Sequence, residues 1–348
     1  MEPAELRRIA RTISTVENQA AGHEGILAQA YRLRRWADVI GITGPPGAGK
    51  STLLDALTAH WAATGERIAI LAIDPSSPYS GGAVLGDRIR RSRSAGFDNV
   101  YFRSLASRGH VGGLTDAATD LVAVLSLFDF RRIIIETVGA GQADVEIHDT
   151  ADCTLVVTVP GLGDGVQASK AGLMEIGDVF VVNKADMPGA DSAARTVENA
   201  LAAVYRGEPG VNARKQLSAP LAPIPTSISP GLAALRRRHG DPERDDSSWV
   251  PPVLQAVASE DRNVAEVAAA IGSFIDWSAR SGRRAARIRE RAYAQVVRAL
   301  SGALLEPYVR KAGSDELPAL LKPWIDRIAD GDASPTEAAR ALLDRNSK

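Results

Sequence analysis

The sequence predicts an α/β fold: a doubly wound, mostly parallel sheet with helical extensions at both ends. Seven short apolar runs, most of them continuous rather than alternating, match strands covered on both faces. Helical patterns lie between them, and alternating strand and helix units imply a mostly parallel sheet. A chain of 348 residues exceeds one small core and suits one large domain with helical additions.

Residues 1–37 read as a helical N-terminal extension. The main domain, 38–280, opens on DVIGIT (38–43). RIAILAID (67–74), NVYFRS (99–104), RRIIIET (131–137), CTLVVTV (153–159), DVFVVNK (178–184) and PPVLQAV (251–257) follow as strands. In 114–128 Leu114, Ala118, Leu121, Val122, Leu125 and Phe128 fall at helix spacing, as do Val197, Leu201, Val204 and Tyr205 in 189–206. Gly65 follows STLLDALTAHWAAT as a helix-ending glycine. Segment 206–248, rich in Pro, Gly and Arg, reads as a long loop or insertion. Residues 281–348 form a helical C-terminal arm. There Ile288, Tyr293, Val296, Val297, Leu300 and Leu304 make an apolar stripe that its own domain or another subunit must cover.

The hydrophobic fraction of 45% and charged fraction of 24% are ordinary for a soluble globular protein. A net charge of −1 argues against a general nucleic-acid binder. The lone cysteine, Cys153, reads as a small buried hydrophobe inside a strand, and the lack of a disulfide framework fits a reducing cytosol. The start, MEPAELRRIARTIS, has no apolar signal region, and no stretch approaches the roughly 18 residues that span a bilayer. The expectation is a cytoplasmic protein without a membrane segment. Of 41 basic residues only seven are lysines, so a retained lysine is a candidate for a position where a compact ammonium is needed.

IGITGPPGAGKST contains G-x-x-x-x-G-K-[ST], placed after a strand and before a helix as a P-loop requires. Gly44, Pro45, Pro46, Gly47, Ala48, Gly49, Lys50, Ser51 and Thr52 are the expected phosphate-binding residues. The glycines let backbone N–H groups wrap phosphates, and the following helix N-terminus favours negative charge. Lys50 is expected to reach the β- and γ-phosphates and the Ser51 hydroxyl to bind Mg²⁺. Further on, VVNKADM gives N-K-x-D through Asn183, Lys184 and Asp186. A carboxylate there can accept from both N1 and N2 of guanine, a donor pair adenine lacks, so the pattern selects GTP and GDP.

Between these lie acidic strand ends. Asp74 closes AILAID, Asp87 comes after a Ser/Gly/Pro loop, and Glu136 closes IIIE with Gly139 three residues on. Asp74, Asp87 and Glu136 are all candidates for Mg²⁺-bound waters or for positioning the attacking water, with a helix cap or loop salt bridge as the plain alternative. Gly139 is the candidate N–H that senses the γ-phosphate. Gln142 follows Gly139 by three residues, the wrong spacing for a water-positioning glutamine of the Ras type.

GITGPPGAGKST, DPSSPYSGGAVLGDR, ETVGAGQAD and VVNKAD, in this order, resemble the MeaB/ArgK family of GTPases, chaperones of adenosylcobalamin-dependent acyl-CoA mutases. The resemblance spans roughly residues 10–300. It implies a P-loop NTPase fold, a Mg²⁺-supported GTPase of low intrinsic rate, a homodimer built with the C-terminal arm, and a separate mutase as partner. It implies that Glu136 holds Mg²⁺ through water. It also implies that the loop GLGDGVQASKAG signals nucleotide state through Asp164, Gln167 and Lys170. Around Ala258, LQAVASEDRNVAEV departs from the family's Thr-Ser-Ala near the guanine, although Ala258 remains the expected contact. None of the five histidines lies in a D-x-H-x-x-G cobalamin pattern, so the cobalamin is expected on the partner.

The alternatives are a nickel-insertion accessory GTPase, which would want a His- or Cys-rich tract, and a GTP-dependent scaffold that scarcely hydrolyses. A membrane-protein targeting GTPase would want a Met-rich domain, and the chain has three methionines. A kinase would need an acceptor site and a base that the sequence does not display.

Overall fold

The computed structural model describes residues 1–32, 37–75, 93–107, 114–137, 147–161, 173–174, 176–206, 249–309 and 322–329, with a few isolated positions beyond. All seven expected strands form: β1 (Asp38–Thr43), β2 (Ile68–Pro75), β3 (Val100–Ser107), β4 (Arg132–Thr137), β5 (Cys153–Thr158), β6 (Val179–Val182) and β7 (Val253–Gln255). They make one sheet in the order β3-β2-β4-β1-β5-β6-β7, every pair parallel. All C-terminal strand ends therefore lie on one edge, and chain order reverses across β1, where α/β sheets place their ligands. β3 runs three residues beyond its expected end and β7 is shorter than its apolar run.

Among the described residues the longer α-helices are α1 (Pro3–Glu17), α2 (His23–Arg32), α3 (Lys50–Ala62), α4 (Leu114–Leu125), α5 (Ala190–Arg206), α6 (Val264–Arg280), α7 (Arg283–Val309) and α8 (Lys322–Ala329). α1 starts with Pro3, whose missing N–H costs nothing in a first turn, and buries Ile9, Ile13 and Val16 along one stripe. α3 stops at Ala62, and Gly65 takes φ +85° with its N–H on Ala62 O, as the sequence led us to expect.

Burial on both faces explains the unbroken apolar strands. In β1, Ile40 and Ile42 join α3 residues Leu53 and Leu57 and α6 residues Ile271 and Phe274. Val39 points the other way, with Ile9, Ile13 and Leu121 of α1 and α4. Cys153 is buried in the first of these layers, and burial pushes its thiol well above the usual range.

The chain divides into two units, Met1–Arg291 and Ala292–Lys348. In the first, the edge opposite the loops carries a buried ionic ladder. Asp38 opens β1, and Asp152 and Asp178 directly precede β5 and β6. Arg284, Arg287 and Arg291, on one face of α7, meet them. Arg284 donates to Asp38 at 3.1 Å and Asp152 at 3.2 Å, Arg287 to both Asp178 oxygens at 3.2 and 3.3 Å, and Arg291 to Asp152 at 2.9 Å. The aspartates also accept strand N–H groups, Val39 on Asp152 at 3.2 Å and Thr154 on Asp178 at 2.9 Å. In the second unit, Tyr293, Val296 and Leu300 of α7 fall on one helix face and are exposed. No helix among the described residues is long and apolar enough to cross a membrane.

Candidate nucleotide site

The glycine loop between β1 and α3 needs its glycines for specific reasons. Gly44 takes φ +142°, and a Cβ there would lie 2.1 Å from Val157 O of β5. Gly49, the residue before α3, takes φ +83°, and a Cβ there would lie 2.4 Å from Asn183 Nδ2. Only glycine permits both the left-handed backbone and this close approach. Lys50, buried, donates from Nζ to Gly44 O at 2.7 Å and Pro45 O at 3.1 Å, so its ammonium is held against the loop it follows.

Glu136 is 5% exposed at the end of β4, in register with Ile42 of β1 and Ala72 of β2. That register brings its Oε1 to 2.5 Å from Ser51 Oγ, which donates to it. A hydroxyl and a carboxylate at one point form a hard, oxygen-only donor set. Mg²⁺ takes one or two such protein groups and completes its shell with water and phosphate, so the residues fit that ion. Among the described residues no group of three or more His, Cys, Asp or Glu could by itself hold a metal ion.

The N-K-x-D segment meets the glycine loop directly. Asn183, 2% exposed, donates from Nδ2 to Ala48 O at 3.0 Å, and its Oδ1 accepts the Ala258 N–H at 3.1 Å. One amide thus ties the P-loop to the turn after β7. Lys184 holds φ +54°, stabilised by Ala185 N–H on Ala256 O and Met187 N–H on its own carbonyl. Its Cε lies 3.9 Å from where a Gly49 Cβ would be, so its stem runs beside the loop. Asp186 is exposed beyond it.

Lys50, Ser51, Glu136, Asn183 and Ala258 are thus brought together, and the backbone of Asp74, next to last in β2, lies on the same sheet edge, in register with Ala106. Asp87, Gly139, Gln142, Asp164, Gln167 and Lys170, and the insertion from 207 to 248, lie outside the described residues. Sequence reasoning missed Asp55 of α3 and Arg93. Asp55 is 3% exposed and accepts the N–H groups of Arg93 and Ser94, while the Arg93 side chain reaches Ala258, Ser259 and Asp261. No short-range pattern announces these contacts, whose partners lie up to 168 residues apart.

With this geometry in hand, the chain was compared with known proteins. A profile of the family described as methylmalonyl Co-A mutase-associated GTPase MeaB matches residues 9–312. A relative from Pyrococcus abyssi, named as a GTPase, is 37% identical over 349 residues, covering 99% of this chain and 94% of its own. The fused isobutyryl-CoA mutase of Geobacillus kaustophilus is 36% identical over 204 residues, 56% of this chain and 19% of that protein. Among solved structures, a LAO/AO transport system kinase superposes with a TM-score of 0.61 at 21% identity, covering 100% of this chain and 99% of that one. That likeness shows the P-loop fold alone.

Proposed function

The chain belongs to the MeaB family of methylmalonyl-CoA mutase-associated GTPases, and on that premise we propose that it is a slow GTPase and metallochaperone. It gates adenosylcobalamin loading and reactivation of a separate acyl-CoA mutase. The observation that carries hydrolysis is the meeting of Ser51 and Glu136 beside the glycine loop.

In this reading, residues 44–52 hold the phosphates and Lys50 exchanges its loop carbonyls for β- and γ-phosphate oxygens. Ser51 directly, and Glu136 through water, would hold Mg²⁺; the ion supplies charge neutralisation at the phosphoryl oxygens. Asp74 and Asp87 order waters around the γ-phosphate, and the Gly139 N–H senses its loss. Asp186 takes guanine N1 and N2, with the Lys184 stem along the base. Asp164, Gln167 and Lys170 relay nucleotide state to the mutase. Rates are low in such sites until a partner completes them.

The mutase partner is supported by the family's own description and by the relative in which a similar segment is fused to an isobutyryl-CoA mutase. Methylmalonyl-, isobutyryl- and 2-hydroxyisobutyryl-CoA mutases are the candidate clients. The exposed face of Tyr293, Val296 and Leu300 supports a homodimer through the C-terminal arm. The setting we propose is the cytoplasm.

Capture from native lysate, with the protein loaded in parallel with a non-hydrolysable GTP analogue and with GDP, tests the proposal. A cobalamin-dependent mutase enriched differently in the two states is expected. A nickel enzyme, or no partner in either state, overturns the chaperone reading and leaves the GTPase.

A further inference from the structure

The Arg93 side chain reaches the turn that follows β7. Its Nη1 donates to Ala258 O at 3.0 Å and to Asp261, and its Nη2 donates to Ser259 O. The backbone from which it reaches is fixed in turn. Arg93 N–H donates to Asp55 Oδ2 at 3.1 Å, and Ser94 N–H and Oγ donate to Asp55 Oδ1. Asp55 sits in the second turn of α3, the helix that leaves the glycine loop.

The turn is closed at its base by Val257 and Arg262, which exchange N–H···O bonds of 3.1 and 3.2 Å. Inside it, Ala258 is buried and its N–H is on Asn183. The Ala258–Ser259 peptide is trans and planar, so seating its oxygen on Arg93 turns its N–H, that of Ser259, the opposite way. The Asp261 carboxylate is largely exposed, so its ion pair with Arg93 is screened and contributes little. The two carbonyl bonds are what orient the turn.

We propose that Arg93 is a positioning residue for base recognition: it fixes the Ala258–Ser259 peptide so that the Ser259 N–H meets the 6-oxo group of the purine. This rests on the GTP reading above. A guanine held through N1 and N2 presents O6 on the adjacent corner, and that acceptor needs a donor which does not move.

The test is competition against a fluorescent GDP by GTP, ITP and 2-aminopurine riboside triphosphate, on wild type, Arg93→Ala, Arg93→Lys and Asp261→Ala. GTP and ITP carry the 6-oxo group and the N1–H; the third lacks both, so each variant is compared with wild type on the same nucleotide, which cancels the missing N1–H. Arg93→Ala is expected to weaken GTP and ITP roughly tenfold, the scale of one misplaced hydrogen bond, and the third nucleotide less than about twofold. Single-turnover hydrolysis of bound GTP stays within about twofold, because Lys50, Ser51 and Glu136 are untouched. Arg93→Lys recovers only part, since an ammonium cannot fork across two carbonyls. It carries the same comparison if Arg93→Ala fails to fold. Asp261→Ala stays near wild type.

Equal weakening of all three nucleotides, no weakening, or an Asp261→Ala effect matching Arg93→Ala would overturn the proposal. A wild type that binds ATP as tightly as GTP would instead overturn the GTPase reading, and the same titration with ATP added separates the two failures.

Discussion

Ser51 Oγ donates to Glu136 Oε1 at 2.5 Å, joining the first turn of α3 to the end of β4 across the parallel pair β1–β4. Glu136→Gln keeps the shape and removes the charge, so it weakens the hold on a cation without opening a cavity. Single-turnover GTP hydrolysis is expected to slow roughly 100-fold, the scale of losing one electrostatic stabiliser, and the Mg²⁺ requirement to rise. Glu136→Asp, one methylene shorter, should fall between. Rates unchanged in Glu136→Gln would remove Glu136 from the machinery.

Gly49 and Asn183 form a second dependent pair. Gly49→Ala forces a side chain onto φ +83° and into Asn183 Nδ2. The backbone strain alone is about 1–2 kcal/mol. GDP affinity should fall at least about tenfold, since the displaced amide also carries Ala48 and Ala258. Asn183→Ala should act in the same direction, and the double variant should cost less than the sum, because both changes remove one link. Additive losses in that cycle would show that the two residues act separately.

These two pairs lie in motifs that the sequence displays, and the reason is physical. A phosphate loop and an N-K-x-D end are built within a few residues, and strands covered on both faces must read as apolar runs. Strand order is different. Nothing in a hydrophobic period says that the segments flanking β3 and β7, the two edges of the sheet, meet beside α3, so the Arg93 contact with Ala258, 165 residues away, was not legible. The ladder left a trace that only topology explains. Asp38, Asp152 and Asp178 each stand where an apolar run begins, and Arg284, Arg287 and Arg291 recur at helical spacing. The pattern makes sense once three adjacent strand starts, β1, β5 and β6, are known to face α7.

Arg287 tests that ladder. It is 8% exposed and donates to both oxygens of Asp178 and to Asp152 O at 2.8 Å. Burial pulls its pKa down, but the adjoining Asp178 outweighs burial and the net shift is upward. Arg287→Ala would strand a buried carboxylate and is expected to cost about 3–5 kcal/mol in urea unfolding. Pairing Arg287→Met with Asp178→Asn should cost less, since no charge is then left alone. If the single and double variants unfold at the same urea concentration, the stranded charge is not the cause.

His148 gives the fold a pH dependence of predictable sign. Its Nδ1 lies 3.2 Å from Thr154 Oγ1, one residue into β5. Burial, and then the guanidiniums of Arg287, Arg283 and Arg291, hold its pKa well below 6.5, against a smaller upward pull from the Ile176 backbone. As pH falls below about 6.5 the unfolded chain takes up a proton at this ring while the folded chain does not. Folding stability is therefore fully present above that pH and is lost as pH falls toward the folded value, by up to about 1.4 kcal/mol per pH unit. Carboxyl groups in general take up protons below about pH 5, so the window that reports His148 lies between about 6.5 and 5. Urea midpoints measured across that window should slope downward on acidification in wild type and flatten in His148→Gln. Parallel slopes for the two proteins would mean that the ring takes up its proton equally in both states.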